Sequence, residues 1–307
     1  MKVLVTGVTG QLGFDVMKSL IKQGFEAIGT GRRTKFESLI IDEEVTNAPY
    51  ISMDISDEFE VKKIVQALKP DAIIHCAGWT AVDAAEDNKE EVFKINEKGT
   101  KNLASAAKFV DAKFVYISTD YVFDGMGVEP YYPDNKSYAP TSVYGASKLA
   151  GEKIVRETLE KYFIVRISWV FGINGSNFVK TMLRVGKNHK KVTVVNDQIG
   201  SPTYTFDLAK LLVDMIKSKK YGTYHARNEG DFISWYEFTK EIYKIADFSV
   251  EVVPVTTEEY GVSKAARPLN SRLDTSKLTE NNFNTLPVWQ DALKRYLNDL
   301  KHVEGEL

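Results

Sequence analysis

Tyr144 and Lys148 stand four residues apart in Val143-Tyr144-Gly145-Ala146-Ser147-Lys148, and a Thr119-Asp120 pair precedes them across a turn-rich stretch. If the run from Ser147 to Glu152 is helical, that spacing puts both side chains on one face, within reach of each other. A phenol with a reference pKa near ~10 is a poor proton donor at neutral pH. A neighbouring ammonium favours the phenolate, so the pair predicts a lowered phenol pKa and a usable general acid. Thr119 would hold the oxygen that is protonated.

The same spacing recurs at Tyr132/Lys136, Tyr236/Lys240 and Tyr260/Lys264. Pro133 disfavours helix at Tyr132, Gly261 weakens one after Tyr260, and Tyr236 lies far beyond any nucleotide-binding half. These three read as solvated or packed pairs. Tyr144 is set apart by what precedes it.

Met1 to Thr6 is an apolar run without clean alternation, as a central parallel strand should read. Gly7-Val8-Thr9-Gly10-Gln11-Leu12-Gly13 follows, then an amphipathic stretch from Phe14 to Lys22. Strand, glycine turn and helix in that order are the context that makes a glycine triplet a dinucleotide site. Gly7 permits the turn, Gly10 lets the backbone approach a pyrophosphate, and Gly13 lets helix and strand pack. The backbone of Thr9, Gln11 and Leu12 lies at the helix start, where free N–H groups meet phosphate. An NAD site wants a carboxylate roughly 20 residues on, for the ribose 2′-hydroxyl. Here Thr30 stands there, followed by Gly31-Arg32-Arg33. Two guanidiniums and no acid suit a 2′-phosphate, so NADPH is expected, with NADH as the alternative.

The elements alternate as strands at 2–6, 25–29, 50–52, 72–76, 113–118 and 163–168, with helices at 11–23, 57–69, 88–109 and 142–161. That rhythm predicts an α/β fold, a doubly wound, Rossmann-like parallel sheet covered on both faces. Asp54-Ile55 after the third strand would meet the adenine; Ala77-Gly78 after the fourth forms a small-residue corner for the cofactor, and Asn96 falls inside the next helix. Met126 to Thr141, rich in Pro, Gly and Tyr, reads as a loop beside the Tyr144 helix, a substrate flap. Beyond Gly172 the rhythm weakens. The expected organisation is a dinucleotide-binding domain over 1–172, with 192–225 returning to it, and a smaller, mixed substrate-binding cap over most of 173–307.

With 307 residues, 43% of them hydrophobic, the chain can bury a full core. Lys plus Arg number 40 against 42 Asp plus Glu, so no basic surplus points to nucleic acid. The single cysteine, Cys76, sits in an apolar strand; it excludes an intramolecular disulfide and zinc-type spacing and fits a reducing compartment. His75 beside it reads as packed and hydrogen-bonded. The amino terminus is already a core strand, which argues against a signal peptide, and no apolar stretch approaches the ~20 residues of a membrane span. A cytoplasmic protein without a membrane partner is expected.

Glycine turn, Thr-Asp-Tyr and Tyr-x-x-x-Lys together resemble the extended short-chain dehydrogenase/reductase superfamily. Six further blocks narrow the resemblance: Thr80-Ala81-Val82-Asp83-Ala84-Ala85-Glu86, Ser118 to Gly125, Arg166-Ile167-Ser168-Trp169-Val170-Phe171-Gly172, Asn177 to Met182, Asn196-Asp197-Gln198-Ile199-Gly200-Ser201-Pro202-Thr203, and Arg267 to Leu273. Together, and in order over nearly the whole chain, they resemble the dTDP-4-dehydrorhamnose reductase family. The resemblance implies NADPH-dependent reduction of the 4-keto group of dTDP-4-dehydro-6-deoxy-L-mannose, giving dTDP-L-rhamnose. It casts Tyr144 as proton donor to the developing alkoxide and Lys148 as the group that lowers the Tyr144 pKa and bonds the nicotinamide ribose. Thr119 would hydrogen-bond the substrate oxygen and Asp120 would help fix the sugar. Thr80 belongs to the implied cofactor set. Val82, Trp169, Asn177, Gln198, Arg267 and Asn270 belong to the implied substrate set, with Trp169 as an apolar wall against the sugar ring. Some members hold Mg²⁺ through glutamates at a homodimer interface; the corresponding places here are Asp15 and Phe206, which leaves the metal open.

Four other readings compete. A nucleotide-sugar dehydratase wants Thr-Asp-Glu where this chain has Thr119-Asp120-Tyr121, and so lacks the base for α-proton removal. An epimerase that retains NAD is disfavoured by the missing ribose acid. A non-catalytic regulatory subunit resembling the methionine adenosyltransferase β subunit shares the glycine turn and Tyr-x-x-x-Lys; the Ser168-Trp169-Val170 and Asn196-to-Thr203 blocks argue for the reductase. Another nucleotide-sugar 4-ketoreductase remains the nearest alternative.

Overall fold

A computed structural model describes residues 1–40 and 42–304. Seven parallel strands form the main sheet: β1 (Lys2–Thr6), β2 (Glu26–Gly31), β3 (Tyr50–Ser52), β4 (Ala72–His75), β5 (Lys113–Thr119), β6 (Tyr162–Ile167) and β7 (Gly222–His225), in the spatial order β7-β6-β5-β4-β1-β2-β3. The longer helices are α1 (Gln11–Lys22), α2 (Glu58–Leu68), α3 (Gly99–Phe109), α4 (Val143–Thr158), α5 (Phe178–Asn188), α6 (Thr205–Lys217), α7 (Trp235–Ala246) and α8 (Trp289–Glu304). The order reverses between β1 and β4, and the crevice outside their carboxyl ends is where such sheets bind ligands.

Each face of the sheet has its own core. Val3, Val5, Val115 and Val165 pack with Val16 and Leu20 of α1 and Leu208 and Leu212 of α6. Leu4, Ile73, Phe114 and Ile164 pack on the other side with Val61 of α2, Leu103 of α3 and Val155 of α4. A third cluster, including Val179, Phe238, Leu293 and Tyr296, binds α5, α7 and α8 into the cap. Within 192–225, α6 and β7 join the sheet, whereas Lys191–Val195 pairs with Glu251–Val255 in the cap. Residues 305–307 of the expected cap lie outside the described residues.

The helix expected over 88–109 is three pieces: Lys89–Phe93, a π-helical turn Lys94–Lys98, and α3. The inserted residue interrupts the regular backbone ladder, a feature often found beside functional sites and invisible to 3.6-residue periodicity. The seventh strand, only four residues long, lies outside the six strands expected from periodicity.

Candidate active site

Thr119 ends β5 and Asp120 opens the 3₁₀ turn Asp120–Val122, so both sit at the carboxyl edge of the sheet. Strand alternation sends Ser118 to the face of α4, where its hydroxyl donates to Glu152 Oε1 at 2.6 Å. The Thr119 hydroxyl donates to Asp120 Oδ1 at 3.0 Å and stands near enough to the Tyr144 phenol to favour its ionised form. Ser142 caps α4, accepting from Gly145 N at 3.1 Å, and thereby sets where Tyr144 emerges in its first turn. Tyr121 meets Tyr144 edge-on, with ring centres 5.5 Å apart.

The electrostatics differ from the expected lowering of the phenol. Burial, with the nearby Asp120 carboxylate adding to it, pushes Tyr144 up; the Thr119 contact opposes this without overcoming it. Lys148 is itself buried, which brings its ammonium down to about 7 while Glu152 works to raise it. Its Nζ rests 4.1 Å from the centre of the Tyr116 ring. The correction has a simple cause: taking a charge out of water outweighs one neighbour that is only partly ionised. Burial likewise raises Asp120 to about 6, with Ser271 and Thr119 opposing. Asp120 Oδ2 is buried without a hydrogen-bond partner. Such an oxygen is costly to leave unmade and suits a substrate hydroxyl.

The dinucleotide turn is tightly built. Gly7 has φ +72°, and a Cβ on it would stand 2.7 Å from Ala77 Cα and N. Gly10 precedes the first residue of α1, with Gln11 and Leu12 next and no side chain capping the helix start. Asn174 Nδ2 donates to Thr9 O at 3.1 Å. Ala77 N donates to Thr6 Oγ1 at 3.2 Å, locking the ends of β1 and β4 together. Beyond it, the hydrogen side of Gly78 faces Asn96 Oδ1 and Lys148 Nζ, 3.0 and 3.9 Å from where a Cβ would be. Asn96, on the π-helical turn, accepts from Trp79 N at 2.7 Å and donates to Trp79 O at 3.1 Å and Ser147 Oγ at 2.9 Å. It ties this corner to α4. Thr80 is exposed beside it.

At the other end of the crevice, Asp54 Oδ1 accepts from Ser56 N at 2.9 Å and Ile55 O accepts from Asn102 Nδ2 at 2.9 Å, which orders the corner after β3. Thr30 is buried and its Oγ1 has no partner. Arg32 and Arg33 are both exposed. Position 30 carries no acid, and Glu37, four residues beyond Arg33, pairs with Arg33. The glycine cradle, the open Gly78 corner and the orphan Thr30 hydroxyl fit a nicotinamide dinucleotide.

The implied substrate residues divide. Arg267 donates to the Tyr121 hydroxyl at 3.1 Å and pairs with Asp83, next to Val82 on the short helix Val82–Ala85. Arg267 thus reaches the Tyr144 side of the crevice through Tyr121. Trp169 stacks on Trp235 at 3.7 Å and lies against Gly200. Its φ of +48° is rare for a bulky residue, and such strain, roughly 1–3 kcal/mol, collects at functional sites. Gln198 is buried, donating to Thr257 Oγ1 at 3.0 Å.

Asn177 and Asn270 are otherwise engaged. Asn177 caps α5 through Lys180 N at 3.0 Å and donates to Gln11 Oε1 at 3.0 Å and Gly172 O at 2.8 Å, bracing the glycine turn from the cap. Asn270 donates to Met126 O at 3.1 Å and Glu129 O at 2.9 Å, holding the 126–141 loop. Both amides are therefore engaged within the fold, Asn177 also with the Tyr296 hydroxyl and Asn270 with the Arg272 guanidinium. Asn174, which donates to Thr9 O, and Trp235, which stacks on Trp169, are not marked by anything in their local spacing.

Of the remaining expectations, His75 exchanges hydrogen bonds with Thr6 Oγ1 at 2.8 Å and Thr100 Oγ1 at 3.2 Å, and burial lowers it to about 3. Burial raises the Cys76 thiol to about 12. Asp15 is buried and accepts from Thr205 Oγ1, while Phe206 carries the Lys210 ammonium 4.1 Å over its ring. Among the described residues no three His, Cys, Asp or Glu side chains are grouped to hold a metal ion, and no helix is long and apolar enough to cross a membrane.

The RmlD substrate binding domain family matches residues 1–302. The spore coat polysaccharide biosynthesis protein SpsK of Bacillus subtilis is 37% identical over 298 residues, covering 97% of each chain. The dTDP-4-dehydrorhamnose reductase of Aggregatibacter actinomycetemcomitans is 37% identical over 306 residues, 95% of this chain and 97% of that one. Among solved structures, dTDP-4-dehydrorhamnose reductase from Bacillus anthracis in complex with NADP superposes with a TM-score of 0.85 at 41% identity, covering 97% of this chain and 99% of that one.

Proposed function

The chain belongs to the dTDP-4-dehydrorhamnose reductase family, and on that premise we propose that it reduces the 4-keto group of dTDP-4-dehydro-6-deoxy-L-mannose to dTDP-L-rhamnose with NADPH. The observation that carries this reading is the contact of Thr119 with Tyr144 at the carboxyl edge of β5, with Lys148 one turn further along α4.

When bound, the reduced nicotinamide supplies a hydride to the sugar carbonyl carbon. This chain's own groups do the rest. Thr119 holds the carbonyl oxygen. Tyr144, kept protonated by its surroundings, gives that oxygen its proton as charge develops there. Lys148, when charged, offsets the phenolate left behind and binds the nicotinamide ribose hydroxyls. The free Asp120 oxygen takes a sugar hydroxyl, and Trp169 forms the apolar wall. Gly7 and Gly10 let the backbone of Thr9, Gln11 and Leu12 approach the pyrophosphate. Asp54-Ile55 would lie against the adenine and Arg32 would pair with the 2′-phosphate, which supports NADPH over NADH.

The test follows NADPH and NADH oxidation in the presence of the 4-keto sugar nucleotide and identifies the product sugar by NMR. The reading expects rhamnose as product and the lower Michaelis constant with NADPH. Intact NADPH binding with no oxidation would remove the reductase assignment, and an equal or lower constant with NADH would remove the role of Arg32.

A further inference from the structure

We propose that Tyr116 and Glu152 are positioning residues for Lys148, the first holding its ammonium against an aromatic face and the second supplying its counter-charge; this deepens the reductase reading and rests on it. Lys148 is buried, so its ammonium cannot rely on water, and what faces it decides both its place and its charge.

Tyr116 lies on β5, fully buried beneath α4. Its ring carries Lys148 Nζ 4.1 Å from the centre, and its hydroxyl donates to Lys148 O at 3.1 Å. One residue thus grips both ends of the lysine. A desolvated cation over an aromatic face is a favourable arrangement. The fit depends on position 151 being glycine, because a Cβ there would collide with the Tyr116 hydroxyl and stand 3.0 Å from Asn96 O.

Glu152 follows Lys148 by one turn on the same face of α4. Burial alone would neutralise it. Arg166 overrides that, with Nε 2.8 Å from Oε1 and a terminal nitrogen 2.8 Å from Oε2. Arg156 and Ser118 also donate to it. Together they hold the carboxyl below its usual range. The other titratable groups facing Lys148 are Tyr116 on β5, and His75 and Cys76 at the end of β4. Burial keeps His75 down near 3 and Cys76 up near 12, so both are neutral around pH 7. Glu152 is the anion that raises Lys148 against burial. Arg166 also donates to Tyr138 Oη at 2.9 Å and Pro133 O at 3.2 Å, so the same pair anchors the 126–141 loop.

The test is an NMR titration of ¹³Cε-labelled lysine in the folded protein, with the Lys148 signal identified by its loss in Lys148→Arg. Glu152→Gln should move the Lys148 midpoint to lower pH by roughly one unit or more, because an opposite charge is removed. Glu152→Asp should restore most of it. Tyr116→Leu should shift it the same way, whereas Tyr116→Phe, which keeps the ring, should shift it less. The alkaline fall in turnover should move with the midpoint. A purely structural role would lower the melting temperature and leave the midpoint in place, and that result in folded variants would overturn the proposal. If unpaired Arg166 prevents Glu152→Gln from folding, the two Tyr116 variants decide. Absent turnover in the wild-type protein would count against the reductase reading, while the NMR midpoints would still judge this one.

Discussion

Tyr144 and Lys148 have environments that work against the simplest account of their pairing. The phenol is pushed up, so it is fully protonated at neutral pH, while the amine is brought down to about 7 by burial. An acid that holds its proton is suited to giving it only when an oxygen beside it becomes strongly basic, as a ketone does on reduction. Tyr144→Phe should therefore lower kcat by roughly 10²–10⁴. NADPH affinity, read by fluorescence titration, should barely change. A Phe variant turning over at close to the wild-type rate would show that the proton comes from elsewhere. The alternation of Ser118 and Thr119 at the end of β5 places one hydroxyl on the Glu152 network and the other on Tyr144. Two adjacent residues thus serve the back and the front of the same site.

At the scale of elements, the turn between β1 and α1 and the corner after β4 form one unit. Gly7 at φ +72° lies against Ala77, and the Thr6 hydroxyl reaches both His75 and Ala77 N. Gly7→Ala adds a left-handed conformation that alanine disfavours and a clash with backbone that cannot rotate away. It should cost about 1–3 kcal/mol in a denaturant melt and weaken NADPH binding by at least about tenfold, or roughly 1.4 kcal/mol. An Ala variant binding NADPH normally would mean that the turn is not the phosphate site. The π-helical turn at Lys94–Lys98 acts from the opposite side: it presents Asn96 to Trp79 and Ser147 at once, and so couples the Gly78 corner to α4.

Across the whole molecule, the cap is fastened to the sheet beside the cofactor crevice through polar groups. Asn177 and Asn174 reach the glycine turn from the cap side, and Asp207 on α6 takes a bidentate pair from Arg295 on α8 at 2.9 and 2.7 Å; within the sheet layer, Asp15 on α1 accepts from Thr205 at the start of α6. Burial raises the Asp15 carboxyl from 3.8 to about 7, with the Thr205 hydrogen bond opposing. The folded state therefore holds this proton where the unfolded chain has released it. Stability from Asp15 is fully present below about pH 4 and is lost as pH rises through about 7. Asp15→Asn should gain melting temperature relative to the wild type as pH is raised from about 4 to about 8. The difference between the two proteins isolates this group, since His75, shifted in the opposite sense, acts equally in both. Parallel stability profiles for the two would mean that Asp15 is ionised in the fold.

Short-range patterning was enough to establish the parallel sheet, the glycine turn and the helix that carries Tyr144 and Lys148. Their signals are local: an apolar strand run, three glycines at set offsets, two side chains one helical turn apart. It was also enough, through six ordered blocks, to point to the family. Tertiary structure alone decided the rest, because it depends on what burial brings together. Asn177 bracing Gln11, Asn270 holding the 126–141 loop, and Trp235 backing Trp169 all join residues whose own neighbours in the chain say nothing of the contact. The direction of the Tyr144 and Lys148 shifts belongs with them. Spacing specifies which charges meet, but how far water is excluded from them is a property of the packed molecule.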